Sequence, residues 1–292
     1  MQNYSKHYIF SGKNRLHYIR SRRNGTPIHF LHANGFNGEM YAPLYRAMGD
    51  EYHIIASDIQ GHGESQRRET EPIRDWTPFA QNLKDVLSHA GTGPVVGIGH
   101  SLGGYVTYMA AALYPELFSK LVLIDPVIFA PSFLALIWGT QVLGLRGKVP
   151  LAEGARRRKW KFNSREEAYE RFSSGRGMFS GWSDAFVRSY VEHGLMDLNG
   201  SAVLKCCPEL EAQVFESIQM DTWKHAGKIQ CPTLVIRGAT SNVFRKNAAH
   251  RLEKKIPQCR VITLDNCGHF APMEDLEACV RHIRRFIDNG DR

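Results

Sequence analysis

The pentapeptide Gly99-His100-Ser101-Leu102-Gly103 constrains this chain more than any other stretch. Ahead of it stands the apolar run Pro94-Val95-Val96-Gly97-Ile98, and behind it Gly104-Tyr105-Val106-Thr107-Tyr108-Met109-Ala110-Ala111-Ala112. A short β-branched run, a serine between glycines and a helix-forming stretch predict strand, sharp turn and helix. In such a turn the chain bends so tightly that only glycine fits at the flanking positions, and the strain lifts the serine hydroxyl above the strand ends. Ser101 is therefore a candidate nucleophile. With glycine at roughly 7% of residues, the pentapeptide alone arises by chance about 0.1 times in a chain of this length, so the reading rests on its surroundings.

Those surroundings alternate between strand and helix. Residues 28–31, 53–57, 94–98 and 120–124 read as strands, separated by helical patterns near 40–48, 78–90 and 102–113. Such alternation implies a mostly parallel sheet with helices on both faces. Tyr8-Ile9-Phe10 and Leu16-His17-Tyr18-Ile19 flank the turn-like Ser11-Gly12-Lys13-Asn14, which predicts an opening antiparallel hairpin. After Asp125-Pro126 the alternation stops. Residues 127–225 read as helical, basic and aromatic, with Trp138, Trp160, Trp182 and Trp223. Strands resume at 233–237 and 260–264, and apolar residues at helical spacing, Leu276, Val280, Ile283, Phe286 and Ile287, predict a closing helix. The expected organisation is a core formed by 1–126 and 226–292, with 127–225 as an inserted helical cap.

Three more motifs sit where these strands end. His32-Ala33-Asn34-Gly35 follows the first, Asp58-Ile59-Gln60-Gly61-His62-Gly63-Glu64-Ser65 the second, and Asn266-Cys267-Gly268-His269-Phe270 the last. With the pentapeptide, these motifs stand in the order found in the α/β-hydrolase family, which the chain resembles over most of its length. The resemblance implies an eight-stranded, mostly parallel α/β sheet with an inserted cap. It also implies a serine nucleophile at Ser101, a base at His269, and oxyanion donors at the backbone N–H groups of Asn34 and Leu102. The chemistry it implies needs no metal or organic cofactor. The Asp58 loop is a turn of the sort the family uses structurally.

A serine hydroxyl is a poor nucleophile at neutral pH, so it needs a base within hydrogen-bond reach and a third group that fixes the base's tautomer. His269 is the one histidine of 13 in the late loop, and His32, His62 and His100 read as polar groups satisfied within the loop network. The third group is where the sequence departs from the commonest pattern. Relatives most often carry aspartate shortly after the strand at 233–237, but Asn242 stands there. An amide lacks the charge that stabilises an imidazolium, and losing that charge lowers turnover by on the order of 10⁴. Asp125 is the preferred substitute, because it ends the strand that follows the nucleophile strand and its helix. The bland alternative makes it a turn residue before Pro126, and Asp265 is a weaker candidate.

Composition narrows the remaining choices. The net charge of +8 is spread over Arg20-Ser21-Arg22-Arg23, Arg67-Arg68, Arg156-Arg157-Arg158-Lys159 and Arg281 with Arg284-Arg285, which reads as solvated surface and not as a nucleic-acid face. Six cysteines without C-x-x-C spacing, and a polar N-terminus, predict reduced thiols and a cytoplasmic location. The uncharged stretch Val127 to Leu145 contains Pro131 and Gly139 and reads as cap rather than membrane span. Its Phe129, Phe133, Ile137 and Trp138 are candidates for lining an acyl or aromatic pocket, though core packing explains them equally well. With the basic cluster at 156–161, the same stretch leaves contact with a membrane surface open.

The leading expectation is hydrolysis of a small carboxylic ester, with thioesters and lactones as neighbours. The alternatives are a ligand-binding protein that kept the fold and lost turnover, for which Asn242 speaks, and a hydrolase of an amide or C–C bond.

Overall fold

The computed structural model describes residues 4–21, 24–67, 72–143 and 149–289. Arg22, Arg23, Arg68, the last two residues of the apolar 127–145 stretch and residues 290–292 lie outside the described residues.

The first half contains strands β1 (Tyr4–Ser11), β2 (Asn14–Ser21), β3 (Thr26–Leu31), β4 (Tyr52–Ser57), β5 (Val95–His100) and β6 (Phe118–Ile124). Between them lie helices α1 (Ala42–Met48), α2 (Thr77–Ala90) and α3 (Leu102–Leu113). Next come α4 (Pro131–Val142), α5 (Pro150–Arg157), β7 (Lys161–Phe162), α6 (Arg165–Ser173), α7 (Asp184–Gly194), β8 (Leu195–Leu198), β9 (Ser201–Leu204), α8 (Pro208–Glu216) and α9 (Trp223–Ala226). The chain closes with β10 (Thr233–Gly238), α10 (Lys246–Lys255), β11 (Cys259–Leu264), α11 (Ala271–Glu274) and α12 (Leu276–Asn289).

Eight strands form one sheet in the order β1-β2-β4-β3-β5-β6-β10-β11. The β1–β2 hairpin and the β2–β4 pairing are antiparallel, and every later pairing is parallel. This is the mostly parallel sheet that the alternation implied, with the eight strands that the resemblance implied. Side-chain alternation along β6 divides the interior between the two faces. Val122 and Ile124 join a cluster with Leu44 and Tyr45 of α1 and Ile283 of α12, whereas Leu121 and Leu123 join one with Leu83 of α2, Tyr105 of α3 and Leu252 of α10.

Register sets the position of the site. Leu31 is level with Gly99, and Ile124 is level with both His100 and Ile236. The loops after β3, β5, β6, β10 and β11 therefore emerge at one edge of the sheet, where active-site groups of parallel sheets gather.

Because β6 pairs directly with β10, everything between them is inserted with respect to the sheet. The insertion is not wholly helical: β7, β9 and β8 form a small antiparallel sheet. At two to four residues each, these strands are too short for period-two patterning to reveal them. Among the described residues, no helix is long and apolar enough to cross a membrane. The six cysteines are all unbonded.

Candidate functional site

Ser101 sits between β5 and α3 with φ 57° and ψ −116°, a region that side-chain-bearing residues rarely enter. A Cβ at Gly99 would collide with the Gly103 carbonyl, and one at Gly103 with the carbonyls of Leu31 and His32. The flanking glycines are thus required by backbone approach. The strained residue is held at both ends: its N–H donates to the Ile124 carbonyl at 3.0 Å, and its own carbonyl accepts from Val127 at 3.2 Å. Leu102 begins α3, so its N–H is one of the four that have no partner within the helix.

His269 Nε2 lies 2.8 Å from Ser101 Oγ, and His269 Nδ1 lies 2.9 Å from Asp125 Oδ1. A carboxylate only accepts, so Nδ1 carries the proton and Nε2 is free to receive one from the serine. Asp125 is fully buried with φ 39°. Its carboxylate also accepts from the Gly238 N–H at 3.0 Å and the Ser241 hydroxyl at 2.6 Å. The acid beside the histidine is therefore Asp125, and the sequence neighbour Asp265 is exposed. Asn242 is exposed at the rim, and its carbonyl accepts from Arg245 Nε at 3.4 Å.

A second hydrogen-bonded chain ties the surrounding loops together. His100 Nε2 donates to the His269 carbonyl at 2.8 Å, which leaves Nδ1 to accept from the Tyr41 hydroxyl at 2.6 Å, and that oxygen accepts from the Ala33 N–H at 3.3 Å. Burial, with the neighbouring His269 charge adding to it, pushes His100 down to about 3. It therefore stays neutral and sets no positive charge of its own beside an imidazolium on His269.

Neither Tyr41 nor Ser241 was singled out by sequence reasoning. For Ser241 the signal was its place just past the end of β10, the strand next to β6.

The Asp58 loop braces the Asn34 side of the site. Its carboxylate accepts from the N–H groups of Gly38 and Glu64 at 2.8 and 2.9 Å and lies 2.7 Å from His17 Nδ1. Burial opposes that charge, but the His17 hydrogen bond and nearby charges hold the carboxyl down at about 2. His32 Nε2 accepts from the Ile59 N–H at 2.8 Å, and His62 Nε2 lies 3.1 Å from Asn34 Oδ1. Asn34 Nδ2 donates to the Glu211 carbonyl at 3.0 Å. The Asn34 side-chain amide is thus committed to its neighbours.

Above Ser101 and His269 opens a cavity of about 1160 Å³. Its walls come from the Ala33–Phe36 loop, α5, α6, the 176–179 turn, α8 and Phe270. The expected pocket residues are placed elsewhere. The Phe129 ring lies 5.0 Å from that of Phe133, and the Phe129 carbonyl accepts from Trp223 Nε1 at 2.9 Å. Phe133 and Trp138 are exposed, Ile137 is half-buried, and none of the four borders the cavity. Apolar residues run all round α4, so its composition alone does not tell which side meets the core. The basic cluster at 156–159 is likewise more than solvated surface: Arg156 bonds Glu209 and Glu216, Arg158 bonds Glu211, and Arg157 lines the cavity.

Among the described residues, no group of three or more His, Cys, Asp or Glu side chains is placed to hold a metal ion. The chain is 24% identical over 276 residues to 2-(acetamidomethylene)succinate hydrolase of Mesorhizobium japonicum, covering 92% of this chain and 91% of that one. It is 24% identical over 270 residues to Esterase YbfF of Escherichia coli, covering 92% and 96%. The crystal structure of E-2-(acetamidomethylene)succinate hydrolase superposes with a TM-score of 0.80 at 20% identity, covering 98% of this chain and all of the other. The family model for the alpha/beta hydrolase fold matches residues 26–276, a span that takes in the sheet from β3 onward, the strained Ser101 turn and the His269 loop, and this chain belongs to that family.

Proposed function

We propose that this protein is a serine hydrolase that cleaves a carboxylic ester through an acyl-enzyme intermediate. The observation that carries the reading is the unbroken hydrogen-bonded row from Ser101 Oγ through His269 to Asp125. In the first step Ser101 Oγ attacks the ester carbonyl carbon while its proton passes to His269 Nε2. The buried Asp125 carboxylate stabilises the imidazolium through Nδ1–H. The oxyanion is held by the N–H groups of Asn34 and Leu102, the latter at the positive end of α3. Collapse of the intermediate expels the alcohol, which takes the proton from His269. Water then attacks the acyl carbonyl carbon while its proton passes to His269, and collapse of the second tetrahedral intermediate returns that proton to Ser101 Oγ and releases the acid. Thioesters and lactones require the same steps.

Residues 127–225 act as the cap, since residues 150–179 and α8 supply most of the cavity wall. The Asp125–His269 hydrogen bond counts against the alternative in which Asn242 marks a lost carboxylate and the chain only binds a ligand. A second reading, amide hydrolysis, is favoured by the relative named for 2-(acetamidomethylene)succinate; His269 would then protonate an amine. Leu136, Trp138 and Val142 of α4 are well exposed, and they are the residues through which contact with a membrane surface would occur. Liposome flotation tests this, and protein that stays with the aqueous phase rules it out.

The test of the main reading is hydrolysis of p-nitrophenyl esters of graded acyl length, with the matching anilides alongside, by wild type and Ser101→Ala. Ester turnover abolished by the substitution is the expected result. Turnover of anilides alone supports the amide reading, and turnover of neither overturns both.

A further inference from the structure

The cavity over Ser101 has a charged wall that ester chemistry does not use. Five cationic side chains line it, Arg157, Arg158, Lys159, Arg171 and Arg176, against the carboxylates Glu167, Glu170 and Glu211. Two of the cations are already matched. Arg158 Nη1 donates to Glu211 Oε2 at 2.6 Å and Nη2 to the Tyr190 hydroxyl at 2.8 Å, while Lys159 pairs with Glu167. Among the described residues, Arg157, Arg171 and Arg176 have no ion pair, and Glu170 is the one carboxylate of the lining without a partner. Three unmatched guanidiniums therefore border one cavity with a single negative charge to offset them. With no ion pair among the described residues, none of the three gives the fold a salt bridge from its place there. The remaining lining is largely apolar, with Phe36, Phe172, Met178, Phe179, Phe215 and Phe270.

From this we infer that the substrate carries an anionic group, a carboxylate or a phosphate, joined by an apolar segment to the bond that is cleaved. The inference rests on the ester-hydrolysis reading and names the substrate class of that same site. The planar guanidinium fork matches both anions, and exposed arginines at a cavity rim raise the local concentration of an anionic ligand in a salt-dependent way. The apolar lining accommodates the chain between anion and scissile carbonyl. Each exposed guanidinium strengthens such a contact by a factor of a few at most, so three together amount to about tenfold.

The experiment compares p-nitrophenyl half-esters of dicarboxylic acids with neutral p-nitrophenyl esters of equal length, and with the corresponding ω-phosphono esters. Wild type and the triple variant Arg157→Gln/Arg171→Gln/Arg176→Gln are assayed at low and high salt. The quantity read is the ratio of kcat/KM for anionic over neutral ester within each protein, so a general loss of activity cancels. The expected ratio in wild type at low salt is about ten or more for the best chain length, falling toward one in high salt and in the triple variant. The anion with the higher ratio is the one the site takes. A ratio at or below one in wild type, or one that survives the triple substitution, overturns the inference. The three single variants replace the triple variant should it not fold.

Loss of neutral-ester turnover in Ser101→Ala tests the ester reading separately. If wild type cleaves no ester, calorimetric titration with the dicarboxylic monoanilide and its neutral analogue decides instead. Preference for the anion that the arginine substitutions remove sustains the inference, and equal binding of the two overturns it.

Discussion

The Ser241 hydroxyl donates to Asp125 Oδ1 at 2.6 Å, the same oxygen that lies 2.9 Å from His269 Nδ1. Ser241 comes from the loop after β10 and Asp125 from the end of β6, so the bond fastens two neighbouring strand ends beneath the histidine. Both residues are buried, and a hydrogen bond to a buried charge contributes about 1.5–3 kcal/mol. Ser241→Ala is expected to lower the free energy of unfolding in urea by about 2 kcal/mol. Turnover should fall far less than on loss of Asp125 itself. An unchanged unfolding midpoint would mean that the bond adds nothing to stability.

Tyr41 holds the Ala33 loop against the His269 loop through His100, and both of its hydrogen-bond partners lie in the interior. Tyr41→Phe keeps the ring and leaves His100 Nδ1 without a donor and the Ala33 N–H without an acceptor. The expected loss of stability is about 1–3 kcal/mol. Because Ala33 precedes Asn34, the proposed oxyanion donor, kcat should also drop while KM changes little. A variant with wild-type stability and wild-type kcat would show that the chain of bonds does not position the loop.

Acid should unfold this protein early. Burial first, with nearby histidine charge adding, pushes His29, His62 and His100 each down to about 3 from an ordinary value of 6.5. Above 6.5 such a histidine is neutral in both the folded and the unfolded chain and costs the fold nothing. As the pH falls below that value, the unfolded chain takes up protons that the folded chain refuses, and stability falls until about pH 3. Each group contributes up to about 1.4 kcal/mol per pH unit. Asp58, held at about 2 against an ordinary 3.8, extends the loss below pH 4. Urea midpoints at a series of pH values between 7 and 4 check this, and a flat profile across that window contradicts it.

Much of the fold was legible because its signals are local. The β-branched run of β5, the glycines around Ser101 and the spacing of Leu276, Val280 and Ile283 each report on their own neighbourhood. The hairpin likewise follows from Gly12 and Lys13 between two strand-like runs. The candidate site was legible where a residue directly follows a strand, as Ser101 and Asp125 do, or lies in the loop after one, as His269 does, since parallel register brings those ends together. The cavity wall was not legible. Arg157 and Arg171 reach it only through the way α5 and α6 fold back over the sheet, and Phe129 and Trp138 miss it for the same reason. Apolar composition in α4 says that a residue can be buried, not what it is buried against. The small sheet of β7, β8 and β9 was hidden by its shortness.

The most direct test of the account is the rate at which a fluorophosphonate labels Ser101, followed by intact mass and peptide mapping in wild type, Asp125→Asn and Asn242→Ala. The account predicts one adduct, on Ser101. It predicts a labelling rate that falls by on the order of 10⁴ in Asp125→Asn and keeps its wild-type order of magnitude in Asn242→Ala. Labelling that survives Asp125→Asn and collapses in Asn242→Ala, or that appears at a residue other than Ser101, contradicts it.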